Sequence, residues 1–260
     1  MKNSQAAINL RQEKLLSYLL EHHSADNDHL AQLLGVTTIT IRRDLKCLED
    51  RGLVKRYFGG AECIMPMEEG KPLLVGADTY IPKSRISIAR YAAQMIQNKD
   101  TVFMNSSSTA LLMLEYLNDK SILVVTNNGR SLYTKRQPGT ELILTGGEVY
   151  GQKQSLIGEF SLNALSKITA TKCILGVSGI SVSGGITSRV LQETAINQMM
   201  LNRCSGDKII VADGSKIGVE HNFFSGNISD ITHLITDETA PAEHLQKLES
   251  RGVKIIIARG

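Results

Sequence analysis

The chain has 260 residues, 42% of them hydrophobic and 21% charged, so it is long enough for two folded domains and too apolar for disorder to account for any large part of it. A formal net charge of +3 is modest, so contact with nucleic acid has to rest on a local cluster rather than on overall basicity. Cys47, Cys63, Cys173 and Cys204 form no C-x-x-C pair, which leaves neither a zinc pattern nor a disulfide framework, and the polar N-terminus and lack of an apolar run near ~20 residues argue against secretion and membrane insertion. The expected setting is the cytoplasm, with no metal site and no cofactor.

Residues 8–22 carry Leu15, Leu16, Leu19 and Leu20 at helical spacing. Asp26 stands where it can cap a short second helix bearing Leu30, Leu33 and Leu34, and Gly35 ends that helix. Thr37 is the next cap, for a helix running to about Arg51. On it Ile41, Leu45 and Leu48 form an inward stripe, while Ile39, Arg42, Arg43 and Lys46 project from the opposite side. Three cations beside a small apolar surface suit phosphate neutralisation and base-edge contact in a major groove. Helix, glycine turn, capped helix and basic face in that order describe a helix-turn-helix, and Gly52 to Ala61 reads as a following wing. The expected partner is double-stranded operator DNA, met by Thr37, Thr38, Ile39, Thr40, Arg42, Arg43, Lys46, Lys55, Arg56 and Tyr57. Asp44, Glu49 and Asp50 dilute the basic cluster of Arg42, Arg43, Lys46, Arg51, Lys55 and Arg56.

Glu62 to Pro82, punctuated by Pro66, Gly70, Pro72, Gly76 and Pro82, reads as a linker. The expected division is a DNA-binding domain at 1–62, a linker at 63–83 and an α/β domain at 84–260. From Ser84 onward amphipathic helices near 84–98, 108–118, 159–167, 189–204 and 241–251 alternate with apolar strands near 101–105, 121–126, 141–145, 172–178, 208–212, 231–236 and 253–258. Near-continuous apolar strands separated by helices predict a Rossmann-like, mostly parallel sheet covered on both faces.

In such sheets ligands bind beyond the carboxyl ends of the strands. Hydroxyl and glycine residues gather at those ends: Asn105-Ser106-Ser107-Ser108-Thr109, Thr126-Asn127-Asn128, Thr145-Gly146-Gly147, Gly176-Val177-Ser178-Gly179 and Asp213-Gly214-Ser215-Lys216. One such turn is ordinary turn chemistry, but five together point to a phosphate-bearing ligand.

Residues 8–61 resemble the N-terminal helix-turn-helix of the DeoR family of bacterial transcription regulators. That family's signature reads close to V-S-x-x-T-I-R-R-D-L, then G-x-L-x-R, then H-G-G-A. This chain has Val36-Thr37-Thr38-Ile39-Thr40-Ile41-Arg42-Arg43-Asp44-Leu45, then Gly52-Leu53-Val54-Lys55-Arg56, then Phe58-Gly59-Gly60-Ala61. Thr37 keeps the capping hydroxyl of the usual Ser, whereas Phe58 removes a polar contact and is given no nucleic-acid role. The resemblance continues through Ser107-Ser108-Thr109, Thr126-Asn127-Asn128, Gly146-Gly147 and Asp213-Gly214-Ser215-Lys216, which are similar to segments of the family's sensor domains. Those domains are similar in fold to ribose-5-phosphate isomerase and glucosamine-6-phosphate deaminase.

By resemblance, Ser107, Ser108 and Thr109 would hold a phosphate, Lys216 would supply a cation, and Asp213 would orient a sugar hydroxyl. Asn105, Asn127, Gly146, Gly147, Ser178 and Glu193 complete the expected effector set. An isomerase or deaminase carrying a DNA-binding domain is the alternative function. Sugar isomerisation needs carboxylates at the carbon being deprotonated. Where the isomerase pattern reads D-G-A-D-E, this chain has Gly176-Val177-Ser178-Gly179-Ile180, which leaves Glu193 in place for a base and favours the regulator. Ser178, where many relatives carry Asp, suggests a ligand unlike the commonest ones. The resemblance implies a repressor of a carbohydrate operon with no catalytic residues, acting as a homo-oligomer, a dimer or a tetramer.

Overall fold

Periodic leucines and near-continuous apolar strands fold into separate bodies in the computed structural model, which describes residues 5–22, 24–50, 53–63, 81–118, 120–151 and 153–259. The chain divides into two compact units, Met1–Pro82 and Lys83–Gly260. Residues 64–80 of the expected linker, Arg51 and the Leu20 side chain lie outside the described residues.

In the first unit, α1 (Gln5–His22), α2 (Asn27–Leu34) and α3 (Thr38–Asp50) are joined by an antiparallel sheet in the order β1 (Ser24–Asp26), β3 (Gly60–Cys63), β2 (Val54–Tyr57). Leu15, Leu16, Leu19, Leu30, Ile41, Leu45, Leu48, Val54 and Ala61 form its core. Gly35 ends α2 in the left-handed region, at φ 63°, where a side chain would be strained. Two expectations are corrected. Asp26 occupies the position before α2, but its side chain makes no capping bond, and the Asn27 N–H donates instead to Gly59 O across the small sheet at 2.8 Å. Leu33 is 50% exposed, because a helix of eight residues turns only Asn27, Leu30 and Ala31 fully inward.

In the second unit, α4 (Lys83–Gln94) leads to β4 (Thr101–Met104). Next come α5 (Ser108–Leu112), β5 (Ile122–Thr126), β6 (Thr140–Leu144), a hairpin of β7 (Glu148–Tyr150) and β8 (Ser155–Ile157), and α6 (Glu159–Ser166). After them follow β9 (Ala170–Gly176), β10 (Gly179–Ser181), β11 (Gly185–Ser188), α7 (Leu191–Asn202), β12 (Cys204–Val211), β13 (Phe223–Gly226), β14 (His233–Thr236), α8 (Ala242–Glu249) and β15 (Lys254–Ile257). Seven strands make one sheet in the order β15-β14-β12-β9-β4-β5-β6, and every pairing in it is parallel. These are the seven strands read from the sequence.

Successive residues feed opposite cores. Val102 and Met104 pack with α4 and α5, whereas Phe103 packs with α6, α7 and α8. Burial on both faces is why the strands read as continuous apolar runs. The hairpin and the small antiparallel sheet β10-β11-β13 were not expected. The chain runs outward from β4 through β5 to β6, then returns to β9 and runs outward the other way. The reversal between β4 and β9 opens the crevice where such sheets bind ligands.

Candidate functional site

The surface expected to meet DNA is formed by α3 and the hairpin after it. Thr37 Oγ1 accepts from Thr40 N at 3.3 Å and pairs with Thr40 Oγ1 at 3.0 Å, so both hydroxyls are engaged in the first turn. Ile39 is 67% exposed, and Arg42, Arg43 and Lys46 are exposed beside it, as the stripe required. Tyr57 and Phe58 are exposed on the wing, with Phe58 fully so at its tip, while Lys55 sits 3.6 Å from Glu62 across the hairpin.

Two acids that counted only against basicity in the sequence have structural work. Asp44 is buried and receives both Arg11 Nε and Arg11 Nη2, the latter at 3.2 Å, together with Gln12 Nε2 at 3.1 Å. That fork clamps α3 to α1. Glu49 accepts from Arg56 N at 3.0 Å and from Arg56 Nε at 2.8 Å. These bonds, the backbone one foremost, hold its carboxyl below the usual glutamate range. Helical spacing could have flagged Asp44, since i, i+1 and i+4 with Leu45 and Leu48 place it at the edge of the apolar stripe. Arg11 gave no such signal.

The expected effector residues fall at the carboxyl ends of β6, β5, β4, β9 and β12. Asn105 bridges the crevice: Nδ2 donates to Gly176 O at 2.8 Å and to Asn197 Oδ1 at 3.0 Å, and Oδ1 accepts from Gly176 N at 3.0 Å. Ser107 Oγ accepts from Thr109 N at 3.2 Å and Ala110 N at 3.3 Å, capping α5. A β-carbon at Gly176 would overlap this hydroxyl, so glycine is required there. Ser108 is exposed and Thr109 buried. Glu193, half-buried at the start of α7, accepts from Ser106 Oγ at 3.2 Å and Ser155 Oγ at 2.9 Å. That joins three elements that sequence spacing had not linked.

Asn127 is buried and donates to Leu156 O at 3.1 Å, while its Oδ1 has no partner. An orphaned acceptor in a buried amide is costly unless something else completes it. Gly146 and Gly147 both take positive φ, 69° and 113°, and a β-carbon at Gly147 would strike Ile157 O. Ser178 is half-buried, its carbonyl 3.2 Å from His221 Nε2. Asp213 caps the 3-10 turn Gly214–Lys216 by accepting from Ser215 N at 3.1 Å, and lies 3.8 Å from Arg85 Nε, a cation the sequence had not suggested. Lys216 is half-buried in that turn. It does not follow the strand next to β4, because β9 lies between β4 and β12, which puts the two segments about 10 Å apart at the sheet. Among the described residues no group of His, Cys, Asp and Glu could hold a metal, and no helix is long and apolar enough to cross a membrane.

Residues 11–66 match the DeoR-like helix-turn-helix domain, and residues 82–238 match the DeoR C terminal sensor domain. Over 252 residues the chain is 29% identical to the transcriptional regulator GolR of Listeria innocua, covering 95% of this chain and 98% of that protein. Over 250 residues it is 27% identical to a putative aga operon transcriptional repressor of Escherichia coli O157:H7, covering 95% and 93%. A ribose 5-phosphate isomerase from Plasmodium falciparum matches 51% of this chain and 51% of its own at 15% identity, with a TM-score of 0.36 that carries no argument. With both matched segments in the order that the basic helix and the parallel sheet occupy, the chain belongs to the DeoR family of DNA-binding transcription regulators and is not an enzyme.

Proposed function

We propose that this regulator represses a carbohydrate-metabolism operon in the cytoplasm and is switched by a phosphorylated sugar, or a related phosphorylated metabolite, held at the strand ends of its second unit. Residues 1–62 bind the operator through Arg42, Arg43 and Lys46, with Thr38, Ile39 and the wing residues Lys55 and Tyr57 around them. Residues 63–83 link this part to an effector domain at 84–260. The observation that supports the reading is that polar groups share one edge of the sheet: the unpartnered Oδ1 of buried Asn127, the Glu193 carboxylate between Ser106 and Ser155, and the Ser108, Thr109 and Lys216 segments. A sugar offers hydroxyl donors to the first two, a phosphate suits the α5 start, and Lys216 adds its charge from two strands away, across β9.

A single winged module has a small footprint, and symmetric operators are met by symmetric proteins, so the working form is a dimer or tetramer. Light scattering should give at least a dimer mass at micromolar concentration; a monomer with and without DNA would contradict this. The effector reading is tested by melting the purified protein with ribose 5-phosphate and a panel of other sugar phosphates. Stabilisation without turnover is expected, about 2.7 kcal/mol at a hundredfold excess over Kd. Turnover of a sugar phosphate, or equal stabilisation by the unphosphorylated sugar, would sink it.

A further inference from the structure

In the last turn of the recognition helix, Glu49 reaches the wing strand. Glu49 receives both the backbone N–H and the Nε of Arg56, at 3.0 and 2.8 Å, so the contact fixes the strand as well as the side chain. Of the four residues of β2 only Val54 is buried; Lys55, Arg56 and Tyr57 are exposed. Beyond Val54, therefore, the strand has no apolar anchor of its own, and the Glu49 carboxylate ties it to α3. Directly past Arg56 come Tyr57 and Phe58, with Gly59 in the left-handed region at φ 99°. A rotation of β2 about Val54 would carry this whole tip with it.

We propose that Glu49 is the positioning residue of the wing and Arg56 its strut, so that the pair sets the angle of the wing to the recognition helix and Arg56 is not one of the phosphate contacts. Arg42, Arg43 and Lys46 then carry the charge neutralisation from α3. A carboxylate facing a polyanion is repelled by it, and its place on the DNA-facing side is accounted for by what it holds. A guanidinium whose Nε and backbone amide are both committed to one acid is oriented by that acid rather than by a phosphate.

Simple electrostatics and this assignment give opposite signs. If Glu49 only kept Arg56 away from DNA, Glu49→Gln would tighten binding and steepen its salt dependence, by gaining a cation and losing an anion. If Glu49 positions the wing, the same change weakens binding and leaves the salt dependence alone. The probe is a random-sequence DNA duplex, titrated with the full chain over a range of salt concentrations. The set is wild type, Glu49→Gln, Arg56→Gln, Arg56→Lys, the Glu49→Gln/Arg56→Gln double variant, and Arg43→Gln as a reference.

We expect Glu49→Gln and Arg56→Gln each to bind about three- to fivefold more weakly, the scale of an exposed ion pair, with the double variant no weaker than either. Arg56→Lys should resemble Arg56→Gln, since a lysine keeps the charge and loses the Nε bond. None of them should change the slope of log K against log salt, whereas Arg43→Gln should reduce it by about 1. Melting curves matching wild type would show that the variants remain folded, as both side chains lie outside the core. Tighter or unchanged binding in Glu49→Gln overturns the proposal, as does a slope reduced by about 1 in Arg56→Gln and restored in Arg56→Lys.

Discussion

In both units the sequence marks a set of residues for ligand contact, and the two units use theirs differently. On the recognition helix the marked residues Ile39, Arg42, Arg43 and Lys46 stand in solvent, and the fold is held by residues between and beyond them, Asp44 inward to Arg11 and Glu49 outward to Arg56. At the sheet edge the marked residues are also the scaffold: Asn105 ties β4 to β9, Ser107 caps α5, and Asp213 caps the turn that bears Lys216. A rigid, extended polyanion can be met by side chains from one helix face. A small ligand has to be surrounded, so the loops around it must first be fixed, and the residues nearest the ligand serve both ends.

The comparison breaks most visibly at Asp44. Removing it leaves Arg11 partly buried beside an empty place, so Asp44→Ala should destabilise the first unit by about 3 kcal/mol, measured by denaturant unfolding. A loss below about 1 kcal/mol would show that the clamp is dispensable. Next in size is Arg42→Ala with Arg43→Ala, where each lost contact to a phosphate or a base edge costs roughly 1–3 kcal/mol of operator binding and the unfolding curve should not move. Unchanged operator affinity in the folded double variant would remove α3 from its role as the reading helix.

Ser107→Ala sharpens the contrast from the other side. If this serine is scaffold, its loss should cost about 1 kcal/mol of stability with no ligand present, the usual worth of a helix cap. Unaltered stability with lost effector binding would make it a ligand residue alone. The smallest effect concerns pH. The Glu49 carboxyl is held below its ordinary value, so its contribution is fully present above the usual glutamate pKa and is lost only as pH falls through the lowered one. The difference in DNA binding between wild type and Glu49→Gln should therefore be constant from pH 8 to pH 6. A difference that vanishes within that range would mean the carboxylate is not held in this way.

Much of the fold was legible because its signals are long. The seven strands of the large sheet show as apolar runs, and the Ile41, Leu45, Leu48 stripe shows at helical period. Three-residue strands such as β7, β8 and β10 are too short to display a period, so the hairpin that brings Ser155 to Glu193 was invisible. The positions of strand-end turns could be read, but not their partners. Nothing local in Asn105 announces Gly176, 71 residues away, and Arg85 meets Asp213 only because the chain folds back. Glu193, read from the sequence as a candidate base and effector residue, is half-buried because α7 starts at the carboxyl-end edge of the sheet.

The central claim is that a phosphorylated sugar at the strand ends alters operator binding, and a ligand does that only if its affinity differs between the DNA-competent and released forms. The direct measurement titrates operator complexes of wild type, Thr109→Val and Lys216→Ala with a panel of sugar phosphates and the matching free sugars. The account predicts that one phosphorylated compound shifts wild-type binding, that its free sugar does not, and that both substitutions blunt the response. An effector that carries no phosphate, or one whose action is unaffected by both substitutions, would contradict it.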